Sequence, residues 1–322
     1  MTLVKAINNA LDIKLNENQD VVVYGEDVGY EGGVFRVTQG LQQKYGAQRV
    51  FDSPLAESGI VGTAVGMAVA GMKPVIEMQF SGFAYPGFNQ IISHVSRMRN
   101  RTRGRYTSSL VIRMPYGGGI KALEHHSESM EALYGHIPGL KVVIPSTPHD
   151  AKGLLISAIE SQDPVIYMEP KRIYRAVKQE VSDDKFNVEI GKANVVQQGK
   201  DITVVSYGAM MRDTQKALAM AKKAGFSVEL IDLRTIYPLD VETIAGSIKK
   251  TGRVLTVAEA PTSFGIGSEI IALANEEAFL HLEAPPKRVT GFDTIFPLPQ
   301  GEHHYLPTPE KIYYEIERTV KF

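Results

Sequence analysis

The sequence predicts an α/β protein: a parallel sheet flanked by helices, followed by a second, shorter α/β unit. Three observations predict it. Short apolar runs, such as Val21-Val-Val23 and Ile202-Thr-Val-Val-Ser206, alternate with amphipathic segments of helical period. Such alternation marks parallel strands joined by crossover helices. The pattern breaks between Glu169 and Lys200, a polar stretch with a Ser182-Asp-Asp-Lys185 turn, and then resumes. At 322 residues the chain also exceeds what one core usually holds. The break is therefore read as a boundary between domains 1–190 and 191–322.

The first helix carries Leu3, Ile7 and Leu11 on one face with Ala6 and Ala10. Asp20–Gly25 follows as a buried strand, with Glu26 and Asp27 at its carboxyl end, the end where open α/β sheets bind ligands. The loop Gly29–Gly33 should lead into another helix. Asp52 or Ser53 is expected to cap the next helix, with Pro54 in its first turn. This helix, running to Gly71, is apolar nearly all round and should be buried. Gly59, Thr63, Gly66 and Ala70 form a small-residue face that another backbone can approach closely. Glu57 sits one turn inside it. A buried glutamate is costly unless paired, so it either carries chemistry, bonds the preceding loop or reaches solvent.

A second strand, Lys73–Phe80, places Gln79 near its end, before an aromatic turn with Phe83 and Tyr85. The helix through Gln90, His94 and Met98 ends in five alternating arginines, read as a solvated or interface face. Further strands are expected at Ser109–Pro115, Lys141–Pro145 and Pro164–Met168, with a helix over Ala151–Ile159. The second unit should have strands at Ile202–Ser206, Val228–Ile231, Val254–Val257 and Arg288–Thr290. Helices near 211–224, 240–250 and 267–279 separate them, with glycine stops at Gly225 and Gly252, and a closing helix spans Pro309–Phe322.

Bulk composition removes several function classes. With 35 basic and 36 acidic residues and no block of like charge, neither a nucleic-acid surface nor a basic membrane surface is expected. The absence of cysteine removes disulfides, thiol nucleophiles and cysteine metal sites. It fits a reducing compartment, and no signal or transit peptide is read, so the expected location is the cytoplasm. Gly265-Ile-Gly267 lacks the third glycine of a dinucleotide fingerprint, because Ile270 stands there. His303-His304 reads as a surface pair. His126 is the better signal. After a Gly117-Gly-Gly119 loop at a sheet edge it can act as a general acid/base, or simply bond a neighbouring carbonyl.

Several motifs occur together: Asp52-Ser-Pro-Leu-Ala-Glu-Ser-Gly-Ile60, Gln79-Phe80, Gly117-Gly-Gly119, His125-His-Ser-Glu-Ser129, Pro138-Gly-Leu-Lys-Val-Val-Ile-Pro-Ser146 and Asp232-Leu-Arg-Thr235. With them the chain resembles, over essentially its whole length, the beta subunits of the decarboxylating 2-oxo acid dehydrogenases. The resemblance implies a transketolase-type pyrimidine-binding domain followed by a transketolase C-terminal domain. It implies that Glu57 bonds a ring nitrogen of the aminopyrimidine of thiamine diphosphate, that Gln79 and Phe83 line that ring, and that His126 assists acyl transfer to lipoamide. Ser127-Glu-Ser129 stands where many relatives have Ser-Gln-Ser, a change expected to tune the site.

The family's Gly-Asp-Gly motif for Mg²⁺ and diphosphate is missing, so that half is expected on an alpha subunit, in an α2β2 heterotetramer serving a lipoylated dihydrolipoyl acyltransferase core. Some relatives bind K⁺ through main-chain carbonyls matching Leu110, Ala158, Ile159, Ser161 and Asp163. Pyruvate is the first substrate reading and a branched-chain 2-oxo acid the second. A self-sufficient transketolase-like synthase and a non-catalytic scaffold for an acyltransferase core are disfavoured by the missing diphosphate motif and by the intact Glu57 and His126.

Overall fold

The computed structural model describes residues 1–322. Helix α1 (Leu3–Glu17) starts from a Thr2 cap and leads into strand β1 (Val21–Gly25). A long loop and the short helix α2 (Leu41–Tyr45) precede β2 (Val50–Asp52). Then come α3 (Glu57–Val69), β3 (Lys73–Glu77), a 3₁₀ turn (Ser81–Ala84) and α4 (Tyr85–Gln90). One π turn (Ile91–Val95) separates α4 from α5 (Met98–Arg101), so the single helix expected here is broken in two places. Strand β4 (Val111–Tyr116), α6 (Glu131–Gly135), β5 (Lys141–Val143), α7 (Pro148–Glu160) and β6 (Val165–Pro170) complete this part.

The second part runs β7 (Asn194–Gln197), β8 (Ile202–Ser206), α8 (Met210–Lys223), β9 (Val228–Asp232), β10 (Thr235–Tyr237), α9 (Val241–Thr251) and β11 (Val254–Val257). It closes with α10 (Ile266–Ala278), β12 (Lys287–Val289), α11 (Glu302–Tyr305) and α12 (Pro309–Val320). Gly252 ends α9 in the left-handed conformation that the glycine stop requires.

Two sheets result. The first has the order β10-β5-β6-β4-β3-β1-β2 and the second β12-β11-β8-β9-β7. Pairing is parallel throughout, except that β10 runs against β5 and β7 against β9. Strand β10 lies in the second part of the sequence yet joins the first sheet. One apolar core likewise continues from Ile76, Met114 and Tyr134 into Ile231, Ile244 and Leu273. A second core packs Leu3, Ile7 and Leu11 of α1 against Leu154, Leu155 and Ile159. Truncating one such side chain, Ile7→Ala, should cost about 2–5 kcal/mol. Ile312 and Ile316 of α12 join Leu218 of α8 in a third core.

The stretch 51–70 differs from expectation in three ways. Helix α3 begins at Glu57 behind Ala56, with no side-chain cap. Asp52 does not cap it, because β2 pairs with β1 and keeps the chain extended through Asp52. The Asp52 carboxylate instead accepts the backbone N–H groups of Gly29 (2.6 Å) and Tyr30 (3.3 Å). Only one side of the helix is buried, through Ile60, Val61, Ala64 and Ala68. Gly59, Thr63, Gly66 and Ala70 all face solvent, and Glu57 is half-exposed at the first turn rather than enclosed.

Candidate active site

The carboxyl ends of β1, β3 and β4 gather the predicted residues at one sheet edge, as parallel sheets do. Beyond β1, Glu26 is buried while Asp27 is exposed. Beyond β3, Gln79 turns its amide to Asp27, donating from Nε2 to Oδ2 at 2.9 Å. Burial, then the charges of Glu57 and Asp27, raise the Glu26 carboxyl above its ordinary value. The charge of Glu57, at a helix start, thus acts on the buried Glu26 carboxyl at this rim.

Aromatic side chains form the other wall. Phe80 meets Phe83 edge-on at 5.2 Å and Phe35 at 5.6 Å. The imidazole of His126, on a 3₁₀ turn (Glu124–His126), stands edge-on to Phe80 at 4.5 Å and to Phe83 at 5.0 Å. Its Nδ1 is buried and has no hydrogen-bond partner. Leaving such a group unpaired costs free energy, which a bound ligand or second chain can recover.

The segment 81–90 ties the Glu57 helix to the His126 turn. A Cβ on Gly82 would lie 2.2 Å from the His125 carbonyl oxygen, and one on Gly87 would lie 3.1 Å from that of Glu57. The first approach leaves no room for a Cβ, and the second is tighter than most Cβ contacts. Ser58 Oγ donates to the Pro86 carbonyl, and Ser81 Oγ donates to the Glu128 carbonyl at 2.8 Å. The Glu128 carboxylate accepts from the Tyr85 hydroxyl and sits 3.0 Å from His125 Nδ1. Glu128 is therefore a clamp across α4 and the His126 turn.

Periodicity and motif matching missed the layer beneath. Arg113 is fully buried on β4, 2.7 Å from Glu77 on β3 and 2.7 Å from Glu169 on β6. Tyr174 donates to the same Glu169 at 2.5 Å. Burial raises the Glu77 carboxyl, and Arg113 opposes it. A charged residue inside an apolar strand, Val-Ile-Arg-Met, was the available signal. The Gly117–Gly119 loop is held by residues distant in sequence: Gly118 donates to Glu259 at 2.9 Å, and Lys171 donates to the Gly117 carbonyl.

No group of three or more His, Asp or Glu side chains in this chain is arranged to hold a metal ion. Leu110, Ala158, Ile159, Ser161 and Asp163 come together, but at the opposite, amino edge of the sheet: Leu110 precedes β4, and the others span the end of α7 and the turn into β6. There the Ile159 carbonyl accepts from an ammonium of the chain's own, Lys73 Nζ, at 3.2 Å. No helix is long and apolar enough to cross a membrane.

Residues 1–177 match the transketolase pyrimidine-binding domain, and residues 191–312 match the transketolase C-terminal domain. A solved chain described as a split-gene transketolase, an inactive β4 tetramer, superposes with a TM-score of 0.82 at 23% identity, covering 100% of this chain and 99% of that one. Fold and domains thus define a chain of the transketolase type, a class that depends on thiamine diphosphate.

Full-length relatives narrow this class. Pyruvate dehydrogenase E1 component subunit beta of Acholeplasma laidlawii is 57% identical over 321 residues, 100% of this chain and 98% of the relative. The same subunit of Mycoplasma genitalium is 51% identical over 99% and 98%, and that of Staphylococcus aureus 49% identical over 100% and 99%. The chain belongs to the family of pyruvate dehydrogenase E1 beta subunits.

Proposed function

We propose that this chain supplies the pyrimidine-facing half of a pyruvate-decarboxylating, acyl-transferring site and that an alpha subunit completes it. The observation that carries the reading is the edge where half-exposed Glu57, anchored Gln79, Phe83 and unpartnered His126 converge. Thiamine diphosphate supplies, when bound, the electron sink that 2-oxo acid decarboxylation needs. Glu57 would hold and move a proton at a ring nitrogen of that group. Burial and then the charge of Glu57 raise the carboxyl of neighbouring Glu26 above its ordinary value. Gln79 and Phe83 would orient the ring, Phe80 would exclude water, and His126 would serve transfer of the acyl group to lipoamide.

The sequence lacks the Gly-Asp-Gly motif by which the family holds Mg²⁺ and the diphosphate, which supports placing both on the alpha chain. The solvent-facing Gly59, Thr63, Gly66 and Ala70 of α3 support a close helix contact in an α2β2 assembly. A lipoylated dihydrolipoyl acyltransferase core is the acyl acceptor, and the location is cytoplasmic. The polar stretch 178–190, between the two family matches, supports dividing the chain into domains 1–190 and 191–322. Relatives at 49–57% identity named for pyruvate dehydrogenase favour pyruvate over branched-chain 2-oxo acids. Co-purification with an alpha chain, followed by decarboxylation assays on pyruvate and on 3-methyl-2-oxobutanoate, tests this. Activity on pyruvate only in the presence of both chains is expected. Activity of this chain alone would overturn the half-site reading.

A further inference from the structure

At the amino edge of the first sheet, away from Glu57 and His126, main-chain oxygens converge from the start of β4, the end of α7 and the turn into β6. The last carbonyls of α7 lie at the negative end of a helix dipole and have no helical donor ahead of them. Such a place favours a cation. The chain's own donors already meet these oxygens. The Leu110 carbonyl accepts the Val165 N–H at 3.1 Å, and the Ala158 carbonyl accepts the Ser161 N–H at 3.2 Å. The Ser161 carbonyl accepts Ser109 Oγ at 2.7 Å. The Lys73 ammonium donates to the Ile159 carbonyl at 3.2 Å and to Ser109 Oγ at 3.1 Å. Lys73 opens β3, and its backbone N–H is held by the Asp20 carbonyl at 2.9 Å, so its side chain reaches across the start of β4 from a fixed base.

Asp163, the one carboxylate among the five positions, is already matched. Arg99 lies 2.7 Å from its Oδ1 and Lys141 3.4 Å from its Oδ2. Lys141 also donates to Ser161 Oγ at 3.2 Å. A mobile monovalent cation entering here would face the Lys73 ammonium at the Ile159 carbonyl, with the Asp163 carboxylate already matched by Arg99 and Lys141. The residues present do not fit a bound K⁺.

We propose that the Lys73 ammonium is itself the cation of this carbonyl cluster, so that the protein folds and assembles without K⁺. An ammonium carries the same single charge as K⁺ and offers three N–H donors to oxygens that a metal would otherwise coordinate. Being tethered, it cannot dissociate. Its purpose is to hold the end of α7 and the turn into β6 against β3 and β4.

The full chain, with its alpha partner, is compared in potassium, sodium and choline chloride at matched ionic strength, as wild type and as Lys73→Met. The wild-type thermal midpoint should be the same in all three salts, and crystals soaked in Rb⁺ should show no anomalous peak at the cluster. The variant should melt lower in choline, recover in potassium and bind Rb⁺ beside the Ile159 carbonyl. A potassium-specific gain or a Rb⁺ peak in the wild type would overturn the proposal, even if the variant failed to fold. So would a folded variant that potassium does not rescue.

Discussion

The imidazole of His126 meets the ring of Phe80 edge-on, with centroids 4.5 Å apart, and no hydrogen bond fixes its Nδ1. Packing against Phe80 and Phe83 orients this histidine, and its buried Nδ1 stays unpaired. His126→Ala should therefore leave the assembly intact. Decarboxylation read with an artificial electron acceptor should persist, while transfer to a lipoylated domain should fall by about two to four decades, the order of a lost acid/base group. Equal loss in both assays would move His126 out of the transfer step.

Glu57 opens α3 half-exposed, so a glutamine there disturbs no buried partner. Glu57→Gln should keep the thermal midpoint and the heterotetramer. Activity should drop by about two to four decades, because an amide cannot exchange the proton. Hydrogen–deuterium exchange at the thiazolium carbon of bound cofactor should slow in parallel, and wild-type exchange would remove Glu57 from proton transfer.

Glu128 joins Tyr85 on α4 to His125 on the turn that carries His126. The Glu128→Gln amide still accepts from Tyr85, so near wild-type activity is expected. Glu128→Ala loses both side-chain contacts and leaves the turn tied through the Glu128 main-chain carbonyl alone. Its acyl-transfer rate should fall more than its decarboxylation rate, and the glutamine should restore most of the difference. If both variants behave alike, the clamp has no part in placing His126.

A pH dependence follows from the seam between the two parts. Glu131 is buried, accepting from the Tyr207 hydroxyl at 2.7 Å through Oε1, while Oε2 has no partner. Burial lifts its carboxyl from 4.5 to about 7, aided by the charge of Glu259 and opposed by the Tyr207 bond. Folding therefore favours the neutral form. The stability this group contributes is complete below its unfolded value and is lost as pH rises through about 7. The rise corresponds to on the order of 3 kcal/mol. Asp232, lifted to about 7 by burial and then by Asp150, acts in the same direction. Glu131→Gln should flatten the fall in thermal midpoint between about pH 5 and about pH 8 without abolishing it, since Asp232 remains. An unchanged profile would mean that Glu131 does not ionise in this range.

Local pattern determined a great deal. The apolar runs at β1, β8, β9 and β11, the helical periods of α1, α8, α9 and α12, and the left-handed glycine after α9 are properties of neighbouring residues. Each is legible without a partner. Family motifs marked Glu57, Gln79, Phe83 and His126, and the structure brings Gln79, Phe83 and His126 to the edge beside the start of the Glu57 helix.

What depends on pairing across the chain was not legible. Strands β2, β7 and β10 are three or four residues long and carry no period of their own; they exist because β1, β9 and β5 offer edges to them. The pairing of β2 kept Asp52 extended and moved the start of α3 to Glu57, which turned an expected buried carboxylate into a half-exposed one. The charge cluster around Arg113 and the place of Lys73 were decided in the same way. A side chain's sequence neighbours set its local conformation, but its charge is stabilised by whichever oxygens the packed sheet brings within about 3 Å, and those come from far along the chain.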